Sequence, residues 1–190
     1  MYNNNNSSNV TVGKPKKGGA IFYAPLGTTL PTNAIDALAD EFINVGFISE
    51  DGLTNANSPE SSDIKAWGGD IVLSMQTAKP DSFKFKLIEA KSADALKYIY
   101  GSDNVTGDLE TGITVTASTE DMEYMSLVID MELRGGILKR IVIPTCKITA
   151  VEDIVYKDSD AVGYGTTVTA TPDIDGNTHY EYIIEATPSA

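Results

Sequence analysis

The chain has 190 residues, 42% of them hydrophobic and 22% charged, and 27 acidic against 14 basic side chains give it a formal charge of −13. That length supports one domain with a real core, no apolar run approaches the roughly 20 residues of a membrane span, and the acid excess disfavours general nucleic-acid binding. A single cysteine, Cys146, excludes an internal disulfide and suits a reducing cytoplasm.

The N-terminus, MYNNNNSSNV, has neither a basic nor an apolar region of the signal-peptide kind. Residues 1–19 are of low complexity and rich in Asn, Ser, Gly and Lys, which predicts a flexible arm. Lys14, Lys16 and Lys17 give residues 1–35 a charge of +3 with no acid, leaving −16 for the remainder of the −13 total. A basic arm on an acidic body could favour contact between copies. The plainer reading is a solvated surface with a loose leader.

Ala20–Ala24 reads as a short buried strand ended by Pro25. Residues 33–45 read as the main helix, with Asn33 as N-cap, Asp36 in the first turn, Gly46 after the last, and Ile35, Leu38, Phe42 and Val45 on one stripe. Residues 49–63 are polar enough to predict an irregular lead-in. After it come two strand-like runs, Asp70–Thr77 and Ser82–Glu89, separated by a polar turn. In the second, Phe83-Lys84-Phe85-Lys86-Leu87 alternates strictly, one face toward a core and one toward water. The only tryptophan, Trp67, stands before Gly68-Gly69 at the head of this region.

Ser92 caps a second short helix, 92–100, closed by Gly101. Beyond an acidic loop the pattern is almost all strand: Ile113–Ala117, Tyr124–Arg134, Gly136–Val151, Ala161–Thr171 and His179–Glu185. Gly135-Gly136 marks a hairpin. In Tyr124–Arg134 the apolar residues alternate with Ser126, Val128, Asp130, Glu132 and Arg134, which predicts a wet second face. The whole reads as mainly β in the α+β class, an antiparallel sandwich or barrel with flanking helices.

No catalytic site emerges. Cys146 lies in an apolar strand and reads as a small core residue, and His179 as a surface residue at a strand start. Asp173-Ile174-Asp175-Gly176-Asn177 faintly resembles a calcium loop, but Ile184 stands where the bidentate Glu would be, so a plain turn is preferred. Residues 14–19 lack the pattern of a phosphate loop. No metal or cofactor is expected.

With these residues laid out, the chain resembles the major tail tube proteins of long-tailed, siphovirus-like bacteriophages. The resemblance rests on GAIFYAPLGTTLPT (19–32), GFISEDGLT (46–54), SPESSDIKAWGGDIVLSMQT (58–77), residues 83–89, YGSDNVTG (100–107), GILKRIVIP (136–144) and ATPDIDGNTHYEY (170–182). Its most specific part is Ile-Lys-Ala-Trp-Gly-Gly, 64–69. It implies two packed antiparallel sheets with a flanking helix, and a single tube domain over 20–190 with a long hairpin or loop around 49–82. It further implies hexameric rings stacked into a hollow virion tube that conducts DNA, and no enzymatic activity.

The implied partners are the chain itself, a tape measure protein, a tail terminator and distal tail proteins, with DNA passing through unbound and no membrane. Synthesis would occur in the host cytoplasm. Some relatives carry an added immunoglobulin-like domain, and this chain, ending at Ala190, is expected to lack it. The candidate contacts between subunits are Lys14, Lys16, Lys17, Ile64, Lys65, Ala66, Trp67, Gly68, Gly69 and Asp70. Asp130, Glu132, Lys84 and Lys86 are the candidate lumen-facing residues. The alternative reading is a monomeric acidic β-sandwich that uses the Trp67 hairpin to bind a partner.

Overall fold

The computed structural model describes residues 5–186. The first four residues of the expected arm and the last four of the chain lie outside them. The longest strand, β11 (Ile137–Val151), is the spine of a nine-stranded sheet. Along one edge it pairs with β10 (Met125–Leu133). Its other edge is shared by β13 (Tyr180–Glu185) at the start and β12 (Tyr164–Ala170) at the end. From β10 the sheet continues to β2 (Ile21–Pro25) and β3 (Ile43–Asn44), with β1 (Gly13–Pro15) laid beside the end of β10. From β12 it continues to β7 (Asp81–Leu87) and β4 (Ile48–Asn57). All of these pairings are antiparallel, as the alternating strand patterns predicted, and the sheet does not close into a barrel.

Pro144 sits inside β11 without an N–H to give to a ladder, and the register with β10 shifts there, between Met125 and Leu127. Ser126 Oγ donates to the Pro144 carbonyl at 2.8 Å, so the bulge keeps its polar atoms paired.

One face of the sheet carries the core: Phe83, Phe85 and Leu87 of β7, Leu127 and Ile129 of β10, Ile141, Ile143, Cys146 and Ile148 of β11, and Val168 of β12. Helix α1 (Ala93–Tyr100) covers it with Leu96, Tyr98 and Ile99. Ser92 caps α1 through its side chain and Gly101 ends it at φ 90°, as the sequence predicted. Tyr98 packs on Tyr23 and Phe85, with ring centroids 5.2 and 6.1 Å away. A short pair, β8 (Val105–Thr106) and β9 (Thr114–Val115), follows α1.

The helix expected at 33–45 is not formed. Asn33 behaves as a cap, its side chain accepting from the N–H groups of Ile35 and Asp36, but turns follow it and the segment ends in β3. The reason is Arg140, whose Nη1 donates to the carbonyls of Asn33 and Asp36 at 3.1 and 2.9 Å. Those are acceptors a helix beginning here would need for its own N–H groups. Pro31 and Ala34 are buried, and Arg140 holds this segment over the second face of the sheet, on which Val128 and Val142 are at most 1% exposed.

The central hairpin also differs from its predicted form. The run near 70–77, β6 (Ile71–Ala78), pairs backward with β5 (Glu60–Lys65), which the polar composition had marked as irregular. β7 pairs instead with β4 and β12. Strands β4 and β5 on one side, and β6 and β7 on the other, make one ribbon interrupted at Pro59 and Pro80. The last ladder pair in the large sheet is Asn57 with Asp81, and the first beyond it is Glu60 with Ala78. Two prolines at the same level remove the N–H groups that would have kept the ribbon continuous. The polar residues of β4 are tolerated because it is an edge strand whose side chains stay largely in water.

Candidate functional site

Among the described residues, the ribbon beyond the prolines has no packing partner. Every residue of β5 and β6 is exposed. The ladder sets Ser62 against Met75 and Ile64 against Leu73, so these four share one side of the ribbon, while Asp63 and Ser74 share the other. Ile64, Leu73 and Met75 are 46–49% exposed, an apolar face held in water. A two-stranded ribbon is at best marginally stable by itself, and a contiguous exposed apolar patch marks an interaction surface.

The turn is Ala66–Asp70. Ala66 N–H donates to the Asp70 carbonyl at 2.7 Å and Gly69 N–H to the Ala66 carbonyl at 3.0 Å. Gly68 and Gly69 have φ of 116° and 100°, backbone that side chains rarely adopt, which explains glycine at both places. Trp67 at the tip is fully exposed. Ile64, Lys65, Ala66, Trp67, Gly68, Gly69 and Asp70 therefore form one projecting element.

The other candidate group, Lys14, Lys16 and Lys17, lies elsewhere. Residues 13–15 are the added strand β1, with Lys14 opposite Glu132. Thr11 Oγ1 accepts from Arg134 N–H at 2.9 Å, Lys16 N–H donates to the Asp130 carbonyl, and Lys16 Nζ reaches Asp130 Oδ2 at 3.2 Å. This part of the expected arm is thus docked on the sheet. It borders an open groove of about 990 Å³ whose walls include Lys14, Lys17, Ile21, Phe47, Ile48 and Met131. No residue of the projecting ribbon lines it.

By register, Asp130, Glu132, Lys84 and Lys86 share the sheet face opposite the α1 core. The expectation that this face is wet holds for Glu132 and Lys84, which are exposed, and for half-buried Lys86. It fails for Asp130, which is 3% exposed. Its carboxylate takes two bonds from Arg140, Nε at 2.6 Å and Nη2 at 2.8 Å, beneath the 33–36 segment. A charge can be buried there because it is paired and fully hydrogen-bonded. The sequence contained the signal for it: a hairpin centred on Gly135 sets position 130 opposite 140.

A second buried carboxylate was also missed. Asp81, 1% exposed at the root of the projecting ribbon, accepts from Asn55 Nδ2 at 2.7 Å and Thr178 Oγ1 at 2.6 Å, and lies 2.6 Å from His179 Nδ1. Burial alone would raise its pKa, but the bonds from Thr178, Asn55 and His179 outweigh that and hold it below the ordinary value. The cluster ties the C-terminal turn to the point where the ribbon leaves the sheet.

Cys146, His179 and the 173–177 turn are each engaged within the fold. Burial pushes the Cys146 thiol up to about 12, and Sγ lies against the Met125 carbonyl, so no thiolate is available. His179 is engaged by Asp81. In the 173–177 turn, Asp173 Oδ1 accepts from the N–H groups of Asp175 and Asn177, and Oδ2 from Tyr180 Oη at 2.6 Å, which leaves a closed turn.

The surface thus carries a docked basic N-terminal strand, open sheet edges, and an amphipathic ribbon that packs on nothing else among the described residues. No curated protein matches the sequence significantly. The family model described as phage tail tube protein matches residues 3–190, almost the whole chain. This is a structural family of the virion, not an enzyme family. The chain belongs to the phage tail tube proteins.

Proposed function

We propose that copies of this chain form hexameric rings that stack into the hollow tail tube, through which DNA passes into the host. The observation that carries this is the ribbon of β5 and β6, whose apolar face and Trp67 tip lie outside the fold. It acts as the joint between rings, together with Lys14, Lys16 and Lys17 of the N-terminal segment. Long unpaired strand edges, normally blunted in monomers, serve here for pairing between subunits within a ring.

The sheet face bearing Lys84, Lys86 and Glu132 is the one assigned to the lumen. Asp130 is on that face but serves inside the subunit, as the counter-ion of Arg140. The lining is then mixed in sign, Glu132 beside Lys84 and Lys86, while the charge of −13 per subunit keeps the tube acidic as a whole, which disfavours adhesion of DNA to it. A tape measure protein fills the lumen during assembly, a terminator and distal tail proteins close the ends, and the chain is made in the host cytoplasm. The test is a cryo-electron map of tubes grown from the pure chain. Six subunits per ring with Lys84 and Lys86 pointing inward support the proposal, and those residues on the outer wall overturn the lumen assignment.

A further inference from the structure

Residue 81 breaks the pattern of its own strand. Asp81, Phe83, Phe85 and Leu87 share one face of β7, and all four are buried. Three of them belong to the core, whereas the first is a carboxylate where strand alternation asks for an apolar side chain. A buried charge is costly unless its partners are supplied. Here two other parts of the chain supply them. Asn55 of β4 donates to Oδ1 at 2.7 Å, and Thr178 Oγ1 and His179 Nδ1 each lie 2.6 Å from Oδ2. An ionised carboxylate only accepts, so His179 carries a proton on Nδ1 in this contact.

The cluster stands where the ribbon is least constrained. The ladder of the large sheet stops at Asn57 with Asp81 and resumes at Glu60 with Ala78, so residues 58–59 and 79–80 are an unpaired joint holding both prolines. Among the described residues, the hydrogen bonds of residues 60–78 all stay within the ribbon. Its heading is therefore set at the root. Six residues of β5 at about 3.3 Å each put the tip about 20 Å beyond the joint, so a swing of about 20° moves Trp67 by about 7 Å.

The bonds at the root refer that heading to the spine of the sheet. Tyr180, the residue after His179, begins β13 opposite Val142 of β11, and its hydroxyl closes the 173–177 turn on Asp173. Thr178 and His179 thus reach Asp81 from a segment anchored on β11, two strands from β7. Asn55 ties the other side of the root by donating also to the Ser82 carbonyl at 3.1 Å, and the His179 ring stands edge-on to Phe83 at 5.4 Å between centroids. An apolar residue at 81 could fill the same space, but only hydrogen bonds impose a distance and an angle.

We propose that Asp81 is a positioning residue: the bracket that Thr178 and His179 place on its carboxylate fixes the angle at which the ribbon leaves the sheet, and so aims Trp67. This is a property of the single subunit and does not depend on the tube reading. Where that reading holds, a ribbon already aimed avoids part of the ordering cost of association.

Trp67 is the only tryptophan, so its fluorescence reports the tip alone. The experiment is nanosecond anisotropy decay of the full-length chain at a concentration where it is monomeric. Thr178→Val/His179→Ala keeps Asp81 and Asn55 but removes both donors of the bracket. It should raise the amplitude of the fast phase at least about twofold, a segmental motion on the time scale of loops. Thr178→Ser/His179→Asn, which restores a hydroxyl and a donor near the place of Nδ1, should return the decay to that of the native chain. Arg140→Met, which weakens the fold away from the root, should leave the fast phase unchanged. A native decay in the variant without the bracket, folded by circular dichroism, overturns the proposal. So does an equal rise in Arg140→Met, which would make the phase a sign of general loosening. If the double variant does not fold, Thr178→Val alone, an exchange of equal shape at one donor, is read by the same two criteria. Failure of the native chain to form tubes would overturn the tube reading and leave this result standing.

Discussion

Arg140 and Asp130 meet across the β10–β11 ladder through two charge-assisted bonds, with 2% and 5% of their side chains exposed. The same guanidinium then reaches the carbonyls of Asn33 and Asp36. One side chain thereby joins the centre of the sheet to the segment that covers it, and Lys16 adds the N-terminal strand to the same carboxylate. Three parts of the chain distant in sequence share one buried anion.

Removing Arg140 leaves Asp130 buried without its main partner. Arg140→Met should therefore destabilise the fold by about 3–5 kcal/mol, the usual result of breaking a buried pair from one side. Arg140→Met with Asp130→Leu should recover part of the loss, but not all, because the two backbone carbonyls still lack their donor. Urea unfolding of the three proteins measures this, and a loss below about 1 kcal/mol for Arg140→Met contradicts it.

Lys16 is a lesser member of that cluster. It is one-third exposed, and Asp130 keeps Arg140 without it. Lys16→Ala should cost less than about 1 kcal/mol. Deleting residues 1–12 should leave a folded domain, whereas deleting 1–19 also strips β1 from β10 and should lower the thermal midpoint measurably. Differential scanning calorimetry of the two truncations separates these outcomes.

Asp81 sets an acid limit. Its pKa is lowered in the folded state, so the unfolded chain takes up this proton first as pH falls. The stability it contributes is present above the ordinary carboxylate value of 3.8 and is lost as pH drops through the lower folded value. Asp81→Asn should be less stable at neutral pH and show a shallower loss of stability on acidification below that value. Equal pH slopes for the two proteins would count against the assignment.

Trp67 should matter only between copies. Because it is fully exposed, Trp67→Ala should change unfolding free energy by no more than about 0.5 kcal/mol while weakening assembly. A loss of about 3–5 kcal/mol would identify it as a core residue instead.

Much of the fold was legible because strand alternation reports burial directly. The apolar side of β7, the course of β10 and β11, and the Ser92–Gly101 limits of α1 all follow from local pattern. The failures share a cause. The 33–45 stripe looks helical by periodicity, but a guanidinium more than 100 positions away takes the carbonyls a helix needs. Residues 49–63 look irregular by composition, yet they are ordered as an edge strand and a ribbon by backbone pairing to β7 and β6. The polar turn expected between Thr77 and Ser82 is a break in a ribbon, because Pro59 and Pro80 fall within one position of each other across it. The exposed tip was legible at Trp67-Gly68-Gly69, whereas Asp81 and Arg140 required the register to be known first.

The central claim is that this chain assembles with itself, through a ribbon that its own fold leaves uncovered. Negative-stain microscopy of the purified chain across a rising concentration series tests it most directly. Hollow tubes or stacked rings should appear above a critical concentration, and a monomer at every concentration would contradict the account.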